Sequence, residues 1–471
     1  MIHWIDYFVI FLFLSGFSIY GILQSRSNQS SKDYFLGGRN LPWPVVMLSI
    51  VATETSVLTF ISVPGLAYRD NWFFLQLALG YIIGRVLVSL ILLPQYFSTG
   101  VISIYEVLGK KFGHNIQKLA SGVFLVTRVL ADGIRFLATA VVVQVVTGWS
   151  LPLAVLMIGI VTLGYTLLGG IRTIVWIDSI QFVLYLSGGI LTIFFILNHL
   201  DQSFISIFSS LSSDGKMEVF NWKGNLFSDP SLFISAVIGG ALLSLASHGV
   251  DYMMVQRVLG TNCLDSAKKA MIGSGIFVFF QFAVFLMAGS LIFVLMEGVE
   301  ITKDREFTTF IVNYLPIGLK GVLLAGVLSA AMSTLSSSIN SLASSTINDW
   351  MGGNSSLKIS RLISLIWAAI LIGVALLFDE SDSAVVIVGL QIASFTYGGL
   401  LGLFLLSKLK RNFHQISLIT GLVFSLLIVF YLKQIGIAWT WFILFSVLIN
   451  IITVFIIDEA GKGLGVFHIH S

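Results

Sequence analysis

Charge is scarce in this chain. Only 10% of its 471 residues are Asp, Glu, Lys or Arg, against about 25% in an ordinary soluble domain, which excludes a water-soluble enzyme. Cys263 is the single cysteine, so no intrachain disulfide can form, and no Cys/His cluster has metal-ligand spacing. Neither a P-loop nor a GxGxxG occurs, which excludes an appended nucleotide-binding module. The net charge of +3 is too small to make nucleic acid a partner. Proline is also rare, with seven in all. Pro42, Pro44, Pro94, Pro152, Pro230 and Pro316 fall near the ends of apolar runs, where a missing N–H does least harm; Pro64 alone lies inside one.

What is abundant is apolar surface: 56% of residues are hydrophobic and the mean hydropathy is +0.96. Runs of about 20 apolar residues, each able to cross about 30 Å of hydrocarbon, recur from end to end. The sequence therefore reads as an all-α integral membrane protein, with the lipid bilayer as its first partner. About thirteen spans are expected, at 4–23, 42–68, 71–97, 117–147, 150–170, 174–198, 230–256, 269–297, 318–348, 359–378, 384–406, 415–432 and 436–457. The first run lacks a basic n-region and reads as a retained helix. With the N-terminus outside and the C-terminus cytoplasmic, most of the 26 Lys and Arg, Arg257 among them, fall in inner loops. That orientation suits a multi-pass protein of the cell membrane. The long segments 199–229 and 298–317 then lie outside. The stretch Phe307 to Leu315 within the second is amphipathic and reads as a small interfacial helix.

Charges inside the spans are costly, by about 2.5–3.5 kcal/mol each on insertion scales, so each needs a partner or a task. Seven qualify: Glu54, Arg85, Arg128, Asp132, Arg135, Asp178 and Asp251. Four acids and three arginines leave −1, which a bound cation would neutralise. In the second span, Thr53 to Ser56, Thr59 and the breakers Pro64 and Gly65 interrupt the apolar run. An unwound helix there would expose carbonyls to a small cation; a Pro-kinked helix with back-bonded hydroxyls is the alternative. In the ninth span Ala330, Ser333, Thr334 and Ser337 recur at i, i+3, i+4 and i+7, so one face offers hydroxyl oxygens, which suit Na⁺ and equally permit close helix packing. In the fourth span Arg128, Asp132 and Arg135 share a face. They form either an internal ladder or a guanidinium grip on a substrate carboxylate.

These segments carry a recognisable combination. Tyr34-Phe-Leu-Gly-Gly-Arg39 with Leu41-Pro-Trp43, Gly169-Gly-Ile-Arg172 with Val175-Trp-Ile-Asp178, Val255-Gln-Arg257, and Ala330-Ala-Met-Ser-Thr-Leu-Ser-Ser-Ser-Ile-Asn340 together resemble the sodium:solute symporter family over nearly the whole chain. The resemblance implies a LeuT-like core of two inverted five-helix repeats, at 42–198 and 230–406, with the second and seventh spans broken. Around the core stand an N-terminal helix and loop (1–41), an outer loop (199–229) and two C-terminal helices with a tail (407–471). The resemblance also implies Na⁺ as the coupling ion. The main site would use backbone carbonyls of Ala52 and Thr55 with Ala330, Ser333 and Thr334, and a further site Asp178 with Ser333, Ser336 and Ser337. Substrate would lie near Glu54, Ser56, Thr59, Gln76 and Asp251, with Arg128 or Arg135 available to a carboxylate. Glu54 and Ser247-His-Gly-Val-Asp251 depart from the pattern of the family's sugar carriers and point towards an organic acid, such as sialic acid or a monocarboxylate. The expected function is sodium-coupled import of a small polar organic solute by alternating access, with no obligate protein partner evident. The alternatives are a proton-coupled carrier of a neutral sugar, amino acid or vitamin, a membrane enzyme and a sensor. His248 is a solitary buried histidine rather than part of a catalytic set, and the tail after Asp458 is short for an output domain.

Overall fold

A computed structural model describes residues 3–24, 30–55, 57–377 and 385–464. Its regular elements among those residues are helices, with one isolated bridge between Leu41 and Thr261. The long helices are α1 (Trp4–Gln24), α2 (Trp43–Glu54), α3 (Val57–Arg69), α4 (Phe74–Leu87), α5 (His114–Thr147), α6 (Leu151–His199), α7 (Phe233–Gly249), α8 (Tyr252–Leu259), α9 (Leu264–Leu295), α10 (Leu319–Ser345), α11 (Leu357–Leu377), α12 (Val385–Ser407), α13 (Gln415–Gln434) and α14 (Phe442–Gly463). Among the described residues, eight helices are long and apolar enough to cross a bilayer, and two helix pairs pass the same test together while bent by 62° at a break. Such a chain is a multi-pass membrane protein.

The two bent pairs are α2–α3 and α7–α8. Helix α2 stops at Thr55, whose φ of −85° and ψ of 78° leave the helical region. The break thus falls nine residues before Pro64, which is accommodated inside α3. Helix α7 stops at Val250, and Asp251 restarts the chain by accepting the Met253 N–H at 2.9 Å, a side-chain N-cap for α8.

Two expected boundaries differ. The spans at 150–170 and 174–198 are joined in one 49-residue helix, α6, kinked at Gly170. At 1.5 Å per residue that is about 74 Å, enough to cross twice the hydrocarbon thickness. Gly170 has φ of 62°, and a Cβ there would come 2.6 Å from the Tyr34 carbonyl oxygen, so only glycine allows the kink to nest against Tyr34. The second difference is Arg257. It lies within α8 and is 0% exposed, rather than in an inner loop.

Close backbone contact holds the bundle. A Cβ on Gly80 would sit 2.3 Å from Val237 O, and one on Gly240 would sit 2.4 Å from Leu77 O, so α4 and α7 touch through small residues. Helix α10 is the most enclosed: its spanning window is 89% buried, against 17% for α1. The polar centre is built around it. The amphipathic stretch expected after residue 306 is the helix Glu306–Tyr314.

Candidate functional site

The break at Thr55 leaves the last carbonyls of α2 without intrahelical donors. One of them, Thr53 O, accepts Thr334 Oγ1 from α10 at 3.4 Å, and the same hydroxyl lies 3.4 Å from Ala330 O. Ala52 is in the last turn of α2 and Thr55 is its C-cap, its hydroxyl donating to Gln281 Oε1 at 3.0 Å. Ser333 Oγ lies 3.4 Å from Thr53 Oγ1, while Ser336 and Ser337 donate to the Ser333 carbonyl at 3.1 and 2.6 Å. The hydroxyl face of α10 therefore meets the broken end of α2.

Asp178, brought in by α6, is fully buried beside this face. Its Oδ2 accepts from Ser49 Oγ at 2.8 Å, Thr53 Oγ1 at 3.2 Å and Arg257 Nη2 at 3.1 Å. Its Oδ1 is buried with no hydrogen bond, and the Ser333 hydroxyl lies beside the carboxylate.

A second cluster joins α5, α8, α10 and α12. Arg128 lies 3.6 Å from Asp132 and 3.3 Å from Asp251, and donates to Tyr397 OH at 2.9 Å. Tyr397 in turn donates to Asp251, and Ser338 to Asp132. Among the described residues Arg135 pairs with Asp132, at 3.3 Å, and its Nε is buried with no hydrogen-bond partner. A third cluster pairs Glu54 with Arg85, whose Nη1 donates to Ser274 Oγ at 2.6 Å; His248 Nε2 stands 3.6 Å from Glu54.

At the bundle centre, then, four carboxylates (Glu54, Asp132, Asp178, Asp251) each lie within salt-bridge distance of one or more of four arginines (Arg85, Arg128, Arg135, Arg257). Within this cluster the balance is zero rather than −1, because Arg257 belongs to it; Asp6 and Asp349, also buried in apolar helices, lie outside it.

Of the other expected substrate residues, Thr59 is buried in α3, and Ser56 lies outside the described residues. Gln76 is bonded to backbone, donating to Phe73 O and Ser231 O at 3.1 and 2.9 Å and accepting from Asn221 N at 3.1 Å. That places it with the 221–231 segment. Sequence reasoning passed over Ser49, Thr53 and Tyr397 as partners of the charged groups. Ser49 and Thr53 stand four apart on one helix face, which is a readable signal; Tyr397 is one of three aromatics in an apolar run and gives none.

Two cavities adjoin these groups. One of about 10 Å³, room for about one water, is lined by Asp132, Arg135, Ala331 and Thr334. A larger one of about 340 Å³ is lined by Asp70, Phe73, Phe74, Ser231 and Trp439. Nearby, Lys216 clamps the end of α3. Its Nζ donates to Tyr68 O at 2.7 Å and Arg69 O at 3.1 Å and lies 3.8 Å from the Phe293 ring centre. Burial lowers its ammonium pKa from the ordinary lysine value. Arg69 is paired with Glu306, whose carboxyl pKa burial raises.

An all-helical bundle with two broken helices, orphaned carbonyls beside a hydroxyl face, and buried ion pairs at its centre is a polytopic secondary transporter. The sodium:solute symporter family model matches residues 34–411, and the chain belongs to that family. It is a sodium-coupled symporter. The chain is 26% identical to the sodium/sialic acid symporter NanT of Aliivibrio fischeri, over 91% of this chain and 88% of that protein. It is likewise 26% identical to the sodium/sialic acid symporter SiaT of Proteus mirabilis, over 90% and 88%. With the human sodium-coupled monocarboxylate transporter 2 it shares 27% identity over 74% of this chain and 58% of that protein. Its fold matches the substrate-bound, outward-open structure of a Na⁺-coupled sialic acid symporter, with a TM-score of 0.87 over 97% of this chain and 98% of that one, at 23% identity.

Proposed function

We propose that this symporter moves a small organic monoanion, of the sialic acid or monocarboxylate class, inward with Na⁺ by alternating access. The observation that carries the reading is the charge balance at the centre. Four carboxylates already face four arginines, so one sodium ion and one monoanion can enter together and leave no uncompensated charge in a medium where such a charge is costly.

Na⁺ binds between the broken end of α2 and the hydroxyl face of α10, through carbonyls of Ala52 and Thr55 with Ala330, Ser333 and Thr334. The meeting of Thr334 with the Thr53 carbonyl supports this assignment. Asp178, with Ser333, Ser336 and Ser337, is the candidate for a further ion, and its unbonded Oδ1 is the free ligand. Arg135 receives the substrate carboxylate. Arg128 is shared by two carboxylates and a tyrosine, whereas Arg135 pairs with Asp132 and lines a small cavity. Glu54 and Thr59 flank the break in the α2–α3 pair in sequence and, with Arg128 and Asp251, are the candidate substrate contacts, to which Ser56 and Gln76 belong by the family resemblance. The cavity at Arg135 admits about one water, so a solute carboxylate at Arg135 requires this space to widen.

Thirteen spans follow if the two bent pairs count once each, α6 counts twice, and α5 and α12 are added to the remaining apolar helices. The N-terminus then lies outside, the C-terminus in the cytoplasm, and residues 42–198 and 230–406 form the inverted repeats. Transport, not catalysis, is the proposed activity, in line with the symporters the chain resembles.

The test is uptake into proteoliposomes of labelled sialic acid, lactate, a hexose and an amino acid, with and without an inward Na⁺ gradient. A carboxylic acid accumulating only with Na⁺ is the expected result. Accumulation of the hexose alone, or uptake driven by a proton gradient without Na⁺, would overturn it.

A further inference from the structure

The oxygens around Asp178 are not vacant. Arg257, entering from α8, donates Nη2 to Asp178 Oδ2 at 3.1 Å, to Thr53 Oγ1 at 2.6 Å and to Ser337, while its Nε donates to Ser49 Oγ at 2.9 Å. Its Nη1 is anchored on the Met253 carbonyl at 2.6 Å, and the whole side chain is 0% exposed.

We propose that Arg257 is a tethered cation that competes with sodium for Asp178 and Ser337, so that this chain holds one sodium ion firmly and not two. The inference rests on the reading that Asp178, Ser333, Ser336 and Ser337 form a sodium-binding set. A guanidinium group and a sodium ion seek the same ligands here, a carboxylate and hydroxyl oxygens. One Nη2 already engages two of those oxygens, on Asp178 and Ser337. A metal ion added at the unbonded Oδ1 would face the guanidinium across a single carboxylate, and like charges a few ångströms apart in a buried site repel strongly. Sodium binds there only as the guanidinium withdraws. Because Arg257 rides on the half-helix that follows the break at Val250–Asp251, withdrawal requires α8 to shift, and the return of α8 expels the ion. The site near Ala52 and Thr334 differs: Thr334 Oγ1 meets the Thr53 and Ala330 carbonyls, and among the described residues no arginine donates to Ala52, Thr55, Ala330, Ser333 or Thr334, although Ser333 also borders Asp178.

The experiment is equilibrium binding of ²²Na⁺ to purified protein in detergent, with a sodium titration of the melting temperature in parallel. Wild type should bind one Na⁺ per chain with a Hill slope of about 1. Arg257→Gln should bind two, with a slope approaching 2 and an affinity for the second ion raised about tenfold or more, equivalent to about 1.4 kcal/mol or more. Arg257→Gln with Asp178→Asn should return to one ion, and this double variant removes both members of the buried pair, so it tolerates the loss better than either single change. Arg257→Lys, which keeps a cation, should also bind one. Two sodium ions on wild type, or one on Arg257→Gln, would overturn the competition. No sodium on wild type would overturn the sodium-binding reading itself, a distinguishable failure.

Discussion

Arg128 on α5 lies 3.3 Å from Asp251, the residue that caps α8 after the break in the α7–α8 pair. The arginine thus ties the fourth expected span to the hinge of the seventh, and both side chains are about 2% exposed or less.

Arg128→Gln should destabilise the protein by about 3–5 kcal/mol, because it strands Asp251 and leaves Asp132 with Arg135 alone. Adding Asp251→Asn should recover most of that loss. Chemical unfolding of the two single variants and the double variant in detergent checks the coupling; independent, additive losses would show that the pair is incidental.

Ser333→Ala should raise the Na⁺ concentration for half-maximal thermal stabilisation by about tenfold, the equivalent of about 1.4 kcal/mol for one lost oxygen ligand. Ser329, on the same helix, has a buried hydroxyl with no partner, so Ser329→Ala should leave the sodium response intact. Equal effects from the two substitutions would attribute both to packing.

Asp6 sits at the start of α1, fully buried, and its Oδ1 accepts the backbone N–H groups of Gly318 and Gly321 at 2.7 and 2.9 Å. It caps the N-terminus of α10 from another helix, where a carboxylate also complements the helix dipole. Asp6→Ala should cost about 1–2 kcal/mol, and Asp6→Asn, which keeps an acceptor, less. Melting temperatures in the absence of Na⁺ measure both; no change in either would remove the capping role.

Gly170→Ala should be among the most damaging single-methyl additions. It combines a Cβ 2.6 Å from the Tyr34 carbonyl with φ of 62° and ψ of −168°, a backbone region essentially confined to glycine that alone costs about 1–3 kcal/mol for other residues. Gly164 has open space around its Cβ position and no positive φ, so Gly164→Ala is the comparison. Similar expression and melting of the two variants would contradict the account of the kink.

How far the sequence reveals this arrangement depends on the kind of signal. Apolar runs are long enough to declare themselves, so the helices lie close to where hydropathy puts them. The i, i+3, i+4, i+7 pattern likewise marks the hydroxyl face of α10, because a helix repeats its own geometry. Two things are hidden. The break in the α2–α3 pair falls at Thr55, although Pro64 is the stronger local breaker, because α3 accommodates the proline and the bundle sets the bend. Arg257 stands at the edge of an apolar run, next to a loop, and reads as a topological positive charge. Its partner Asp178 is 79 residues away, and only the packing of α8 against α2 and α10 brings the two together. Pairings between different helices, Glu54 with Arg85 and Arg128 with Asp251 included, leave no periodic trace in a single sequence.

The most direct measurement concerns the charge carried in one turnover. If the centre is already neutral and Arg257 keeps a second sodium ion out, one Na⁺ accompanies one monoanion. In proteoliposomes, initial uptake of the transported carboxylic acid should then rise with the Na⁺ gradient and stay unchanged when valinomycin and a potassium gradient impose an inside-negative potential. Acceleration of several-fold by that potential would show net positive charge moving inward with each solute, and would contradict the one-to-one account.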